Sequence, residues 1–273
     1  MRTKKWTFYI VYSILVTVVF LYWRFPSETV KNYIVSTLMS NYPDIILSIG
    51  NANPGFPPAI KFENLVIRFK NRPASALEAG VVRARPCLKS FFSNRLSFII
   101  NANAYGGNID GSVSFANRFP AEEPIQVKVE LDDINMVECS FIRTVLGRQI
   151  EGNLEGTIAY NGRYRETVNG TGMAKFVLLN GSIQLLKSMF GFDKLIFDSI
   201  KADMILKNQT LKINEFNLVG KQIQGFLKGN IYISSDIAQS RLALKGNADV
   251  PALNRRFSIF LNGTLANPIP RFM

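Results

Sequence analysis

The residues that most often carry catalysis or bind metals are scarce in this sequence. Histidine is absent from all 273 residues, which removes the commonest general base and the usual metal ligand. The two cysteines, Cys87 and Cys139, are too few for a zinc site. Both lie among apolar residues, which favours two buried free thiols over the alternative of a disulfide. No metal or other cofactor is therefore expected.

Two pairs of carboxylates and one glycine pair look like functional motifs, but each has a structural explanation. Glu122-Glu123 and Asp132-Asp133 would point to opposite faces of a strand, or fan apart on a helix, and are explained as turn or cap residues. Gly170-Thr-Gly172 lacks the third glycine and the following helix of a dinucleotide-binding loop. Because no nucleophile stands beside a base, the sequence predicts a protein that is not an enzyme.

The N-terminal segment has the features of a membrane anchor. Residues 6–23, WTFYIVYSILVTVVFLYW, carry no charge and would span about 27 Å as a helix, close to the hydrocarbon thickness of a bilayer. Trp6, Tyr22 and Trp23 place amphipathic rings at its two ends, where an aromatic belt is expected. The sequence therefore predicts a transmembrane helix over residues 6–23.

The charges that flank this segment predict its orientation. Residues 1–5 form a basic tail that contains Arg2, Lys4 and Lys5, so the N-terminus is expected in the cytoplasm and the rest of the chain on the far side of the membrane. A cleaved signal peptide is the alternative. It is disfavoured because the usual small-residue cleavage site is missing before Arg24.

Residues 24–43 predict a short amphipathic helix. Ser27 is a suitable N-cap, and Val30, Ile34 and Leu38 form one apolar stripe. Such a helix would either lie along the membrane surface or cover the end of the following sheet. The second position is the plainer structural interpretation.

Residues 44–273 change to a period of two and predict a single elongated β domain, because no linker or charge block divides them. Strands are predicted near 196–206, 209–219, 222–233 and 239–248. Helical connectors are predicted at 87–93, 136–146 and 182–189. The fold class is therefore mostly β, with an N-terminal transmembrane helix, an antiparallel sheet and short helical connectors.

A motif of glycines and apolar residues recurs in this domain with constant spacing. Glycines two residues apart share a strand face with the apolar positions, where they let the strand bend or let another chain approach closely. The alternative is that they only relieve crowding in a tightly curved sheet. The glycines of the three copies are Gly107, Gly111, Gly152, Gly156, Gly225 and Gly229.

The apolar residues on the same faces are candidates for the lining of a groove. If they leave room for an acyl chain, they would form an apolar track; if side chains fill the concave face, a scaffold for protein contacts is favoured instead. The candidate residues are Phe98, Ile100, Val113, Val127, Val129, Ile158, Ile200, Met204, Leu227 and Ile231.

The formal net charge of +12 suggests an acidic partner or an anionic surface. A basic segment follows the start of the domain, and with a membrane anchor on the same chain we expect it to contact lipid head groups or protein, and not nucleic acid. The alternative is that these residues are the solvated outer faces of strands. The candidate contact residues are Arg68, Lys70, Arg83, Arg85 and Lys89.

Four segments resemble a known family. Residues 25–33, FPSETVKNY, and 51–60, NANPGFPPAI, after the anchor are similar to the N-terminal region of type II secretion system protein N. Residues 104–111, AYGGNIDG, and 261–268, LNGTLANP, look like the wider AsmA-like superfamily. The resemblance implies a bacterial inner-membrane protein whose main domain is periplasmic, with a long sheet curled like a taco shell.

The same resemblance implies two functions. One is an accessory, structural role in type II secretion, with other secretion-system proteins as partners. The other is binding or transfer of phospholipid in an AsmA-like apolar groove. About a dozen strands would make a groove of roughly 55–60 Å, well short of the distance across the envelope. This short length favours the secretion role and leaves lipid handling as the alternative.

Overall fold

One antiparallel sheet dominates the fold. In a computed structural model, the structure describes residues 2–55, 59–70, 72–88, 90, 95–116, 124–163, 169–189 and 191–273. The sheet contains 15 strands in the order β1-β3-β4 and then in sequence to β15, while β2 pairs with β3 off this path. All of the strand pairs are antiparallel. The prediction of a mostly β protein with an antiparallel sheet and few helices is confirmed.

The strands lengthen towards the middle of the sheet, where β9 and β10 pair over most of their length. The last strand, β15, is an edge strand, and Pro268 and Pro270 remove two backbone donors from it, which hinders further pairing. The strands are β1 Ile45–Ser48, β2 Asn51–Gly55, β3 Ala59–Phe69, β4 Arg72–Pro86, β5 Leu96–Ala104, β6 Gly107–Phe115, β7 Pro124–Asn135, β8 Ile150–Arg163, β9 Thr171–Met189, β10 Phe192–Lys207, β11 Thr210–Val219, β12 Gln224–Tyr232, β13 Arg241–Val250, β14 Arg255–Gly263 and β15 Pro268–Phe272.

The chain begins with a helix, α1, over Arg2–Trp23. No helix, within the residues that the structure describes, is both long enough and apolar enough to cross a membrane. The transmembrane helix predicted over residues 6–23 is therefore not shown and stays a prediction.

The second helix, α2, spans Ser27–Asn41 and lies against the start of the sheet. Ile34, Val35 and Leu38 pack against a buried cluster that contains Leu47 and Phe62. Helix α2 therefore lies at the sheet, which is the second of the two positions that the sequence predicts for it. The prediction of Ser27 as N-cap is wrong, because Ser27 is already helical and Pro26 precedes it without a side-chain cap.

Of the three helical connectors that the sequence predicts, one contains a helix, one is a strand and one lies partly outside the described residues. A short helix, α3, forms over Ser140–Leu146, inside the predicted range 136–146. The helix predicted at 182–189 is wrong, because these residues are the second half of β9, held by pairing of Ile183 with both Ile150 and Leu195. Of the connector 87–93, only Cys87, Leu88 and Ser90 lie within the described residues.

Helix α3 connects distant parts of the fold. The Ser140 hydroxyl donates a hydrogen bond to the carbonyl oxygen of Ala76 on β4 at 3.1 Å, and the ring centroids of Phe141 and Phe69 are 5.5 Å apart. Helix α3 also lies close to the 3-10 turn Ile237–Gln239. Directly after α3, Gly147 adopts φ +65° and turns the chain towards β8. This turn positions Arg148, the residue that follows it.

Candidate ligand-binding groove

A continuous row of apolar residues crosses the sheet from β3 to β15. Each member is the cross-strand partner of the next, so all lie on one face. Twelve strand spacings of about 4.8 Å give this row a length of about 58 Å. We call it the apolar row; it consists of Phe62, Val82, Ala102, Ile109, Leu131, Gly156, Phe176, Ala202, Phe216, Leu227, Gly246, Ile259 and Phe272.

The apolar row is covered only in part. Phe62 is buried by α2 and its neighbours, but every later member of the row is half-buried. The opposite face is polar: the Asn103 amide donates to Asn108 at 2.6 Å, and Asn101 donates to Asp110. The two faces therefore differ in chemistry, and the apolar face retains surface that another apolar body can cover.

An apolar cavity of about 700 Å³ opens on this face in the C-terminal half of the sheet. Its volume lies within the range of about 300–1,000 Å³ that is typical of small-molecule sites. Leucine, isoleucine and phenylalanine side chains dominate the lining, and Phe216, Leu227, Ile259 and Phe272 of the apolar row are among them. The C-terminal part of the apolar row therefore lies in the wall of this cavity.

Arg148 lines this cavity and also contacts a part of the chain distant in sequence. Its Nε donates to the carbonyl oxygen of Leu146 at 3.2 Å, and its Nη2 donates to that of Leu265 at 3.5 Å. Leu265 lies in the turn between β14 and β15, six strands from β8. Six spacings in a flat sheet would separate these strands by about 29 Å. The sheet therefore bends between β8 and β14, and strands of this part line the cavity.

The guanidinium of Arg148 is half-buried at this position. Burial lowers the pKa of Arg148, because water no longer solvates its charge fully. None of the carboxylates within the described residues forms an ion pair with it. Among the described residues that line the cavity, Arg148 alone carries a charge.

The predicted groove residues all lie on the face of the apolar row, but they have different surroundings. Leu227 lines the cavity, while Ile200 is buried in the central apolar cluster beside it. Ile231 is buried in a separate cluster against which Met204 packs. The other six are half-buried on β5 to β8, away from the cavity; they are Phe98, Ile100, Val113, Val127, Val129 and Ile158.

Five of the six predicted glycines are in crowded positions. A Cβ at Gly111 would lie 3.2 Å from the carbonyl oxygen of Lys128, and Gly107 and Gly156 are tighter still. Gly152 and Gly229 have φ of +125° and +144°, which L-residues rarely adopt. Gly225 is different, because a Cβ there would approach nothing closer than 3.8 Å, and this glycine lines the cavity.

The predicted basic segment does not form one patch. Arg83 pairs across the sheet with Lys61 and Arg68 with Ala76, so seven residues of β3 place the two arginines about 23 Å apart along the strand direction. Arg83 and Arg85 are exposed on one face of β4, whereas Arg68 and Lys70 are exposed at the far end of β3. Lys89 lies outside the described residues. The aromatic residues Trp6, Tyr22 and Trp23 are exposed on α1.

Sequence reasoning missed Arg148 and the contribution of β15 to the groove. Arg148 stands alone in a turn after Gly147, with no pattern around it that marks a site. Leu185 and Leu186 also line the cavity, although the sequence predicts a helix at these residues. The strand β15 could have been recognised from its apolar residues. Its two prolines argue against a strand in a prediction from sequence, because proline is rare in strands.

Groups for other chemistry are few. Cys87 is half-buried and Cys139 is buried, and both are free thiols. Burial raises the pKa of the Tyr105 hydroxyl to about 12, and the backbone N–H of Glu78 donates to its oxygen at 2.8 Å. Over the described part of the chain, no group of three or more His, Cys, Asp or Glu side chains could hold a metal ion.

Comparison with known proteins does not assign the chain to a family: no family model matches it, and neither a curated protein nor a solved structure does.

Proposed function

We propose that this chain binds an acyl chain of a membrane lipid along the apolar row, with the C-terminal cavity as the principal site. The observation that carries the proposal is the apolar cavity of about 700 Å³ at the bend of the sheet. An acyl chain gains about 0.8 kcal/mol for each methylene that it buries, and an unbroken apolar row is the surface on which that gain accumulates. A protein that only presented its outer surface to partners would not require this half-buried face.

The location and shape that accompany this function are part of the proposal. Apolar side chains are exposed along α1, among them Trp6, Phe8, Phe20 and Trp23, and residues 6–23 carry no charge. Such a surface favours insertion into the bacterial inner membrane, with the sheet in the periplasm. The bend that joins Arg148 to Leu265 is consistent with a curled, AsmA-like sheet.

The test is a photo-crosslinking experiment on the full chain in nanodiscs of neutral phosphatidylcholine. The probe is a long-chain alcohol with a diazirine in its hydrocarbon chain, and labelled peptides are located by mass spectrometry. We expect labels on β9 to β15, the strands that line the cavity. Labels confined to α1, where the bilayer itself would deliver the probe, would contradict a groove site.

A pair of glycine variants provides the matched control. Gly225→Leu places a side chain into the cavity, whereas Gly80→Leu adds the same side chain at an exposed strand position on β4. A Cβ has equal room at both sites, since the nearest atom is 3.8 Å away in each. We expect Gly225→Leu to reduce groove labelling several-fold and Gly80→Leu to leave it unchanged. Equal labelling of the two variants would overturn the proposal.

The accessory role in type II secretion is a second candidate, favoured by the exposed pair Arg83 and Arg85 on the outer face of β4. Two exposed positive charges that form no ion pair with any described residue suit an acidic protein surface. The test compares Arg83→Glu/Arg85→Glu with Gly225→Leu in the native host, at matched abundance. Loss of secretion in the arginine variant alone would favour the scaffold role. Loss of envelope integrity in the glycine variant alone would favour lipid binding.

A further inference from the structure

The lining of the cavity combines the positive charge of Arg148 with a mainly apolar surface. Leucine, isoleucine and phenylalanine side chains dominate the remaining lining, so a ligand that fills the cavity must be mainly hydrocarbon. A ligand with only hydrocarbon, however, would leave the half-buried guanidinium of Arg148 without a counter-charge, and an unpaired charge away from water is unfavourable. The lining therefore suits an amphiphile with an anionic head.

The hydrogen bonds of Arg148 leave it able to bind such a head. Guanidinium has five N–H donors. The structure assigns one on Nε to Leu146 and one on Nη2 to Leu265, which leaves the remaining donors of the fork unassigned. The two carbonyl contacts also restrain the side chain, so less freedom is lost when a ligand binds. Asn267, two residues after Leu265 and thus within about 7 Å along the chain, also lines the cavity.

We propose that the cavity binds a long-chain fatty acid, with its carboxylate on the guanidinium of Arg148 and its hydrocarbon chain among Leu185, Phe216, Leu227 and Ile259. A carboxylate matches the planar fork of arginine, and hydrogen bonds between ionised partners are about twice as strong as neutral ones. This inference rests on the proposed acyl-chain site and adds a chemical selectivity to it.

The experiment is a competition against the neutral photoreactive alcohol, with the full chain in phosphatidylcholine nanodiscs. The competitors are palmitate, cetyl alcohol (the neutral alcohol of the same chain length) and phosphatidylglycerol. For each competitor, we measure the concentration that is needed to reduce labelling by the photoreactive alcohol to the same extent. The measured quantity is this concentration for cetyl alcohol divided by that for palmitate. We expect palmitate to compete roughly tenfold or more better than cetyl alcohol in the parent protein, as a charged hydrogen-bonded pair predicts.

Variants at Arg148 separate recognition from a structural role. Arg148→Gln should bring the ratio close to one while the alcohol still competes, and Arg148→Lys should keep part of the preference. If Arg148 only held the bend through Leu146 and Leu265, its replacement would weaken both competitors equally and leave the ratio unchanged, which would overturn the inference. Should Arg148→Gln fail to fold, the ratios measured for the parent protein and for Arg148→Lys still test whether Arg148 recognises the carboxylate.

The remaining outcomes distinguish this inference from the proposed function. A parent protein that binds palmitate and cetyl alcohol equally would overturn the carboxylate site and leave acyl-chain binding intact. Competition by phosphatidylglycerol, but not by palmitate, would overturn the fatty acid in favour of a phospholipid head group. Absence of groove labelling by the photoreactive alcohol would overturn both proposals.

Discussion

The ring of Phe176 lies against Gly156 on the neighbouring strand. The two residues are direct cross-strand partners, and a Cβ at Gly156 would lie 2.5 Å from the carbonyl oxygen of Lys175 and closer still to the Phe176 ring. Large and small residues therefore alternate here along the apolar row, because Ala202 follows Phe176 on β10 and Phe216 follows Ala202 on β11. This alternation lets bulky rings fit on the inner side of a bent sheet.

The first prediction is that Gly156→Ala destabilises the protein by about 1–3 kcal/mol, because its Cβ would overlap a backbone oxygen that cannot easily move. Gly225→Ala is the control. Its Cβ would meet nothing within 3.8 Å, so its effect should be small or stabilising. The measurement is the free energy of unfolding in urea. Equal stabilities of the two variants would contradict the packing described for Gly156.

The second prediction concerns alkaline pH. The Tyr105 hydroxyl has a pKa of about 12 in the folded protein, against a value of 10.0 for an unperturbed tyrosine. The folded state thus retains the proton more strongly, so this contribution is fully present below pH 10 and is lost as pH rises towards about 12. Near neutral pH, Tyr105→Phe should cost about 0.5–1.5 kcal/mol, because the hydroxyl oxygen that accepts the hydrogen bond from the Glu78 backbone N–H is lost.

Above pH 10, the stability advantage of the parent over Tyr105→Phe should therefore shrink. Urea unfolding across this pH range measures the difference in unfolding free energy between the two proteins. In an absorbance titration of the phenolate band, Tyr105→Phe should lack the most alkaline step that the parent shows. If the difference in unfolding free energy between the parent and Tyr105→Phe stays constant up to pH 12, folding does not raise the pKa of Tyr105, and the prediction is wrong.

The third prediction concerns acidic pH. Lys194 donates to a Glu151 carboxylate oxygen at 2.9 Å and Ser182 donates to the same oxygen at 2.7 Å. The hydrogen bond from Lys194, and then that from Ser182, lower the pKa of Glu151 below 4.5. Since the folded pKa is depressed, the stabilisation is present above pH 4.5 and is lost as pH falls through the folded value.

Glu151→Gln should accordingly be less stable than the parent near neutral pH and equally stable well below pH 4.5. The effect should be small and should decrease with added salt, because the side chains of Lys194 and Glu151 are both partly exposed to solvent. Glu155→Gln, a substitution at an exposed position on the same strand, is the matched control. A loss of stability that does not change with pH would point to a steric cause.

The fourth prediction tests the proposed orientation. A reporter that fluoresces only in the cytoplasm, fused after Met273, should stay dark, because Arg2, Lys4 and Lys5 precede the uncharged residues 6–23. The same reporter placed before Arg2 should fluoresce and serves as the control for expression. Fluorescence from the C-terminal fusion would contradict the periplasmic location and the inner-membrane orientation together.

Much of the fold follows from local patterns. A period of two over residues such as Leu96 to Phe115 predicts strands and their apolar face, because successive side chains of a strand point to opposite sides whatever it pairs with. The predicted strand at 209–219 agrees with β11, Thr210–Val219, to within one residue. Local patterns failed at 182–189, where a run of apolar residues resembles a helix but pairing with β8 and β10 makes it a strand.

The sequence by itself determined the class of the protein, the apolar face of each strand and the spacing of its glycines, because these depend on neighbours in the chain. Only the tertiary structure decided that Arg148, which lines a cavity, contacts Leu265, 117 residues away in the chain. It also decided that Arg68 and Arg83 lie far apart although they are close in sequence. The reason is that register and bend arise from the pairing of many strands at once, and no short segment contains that information.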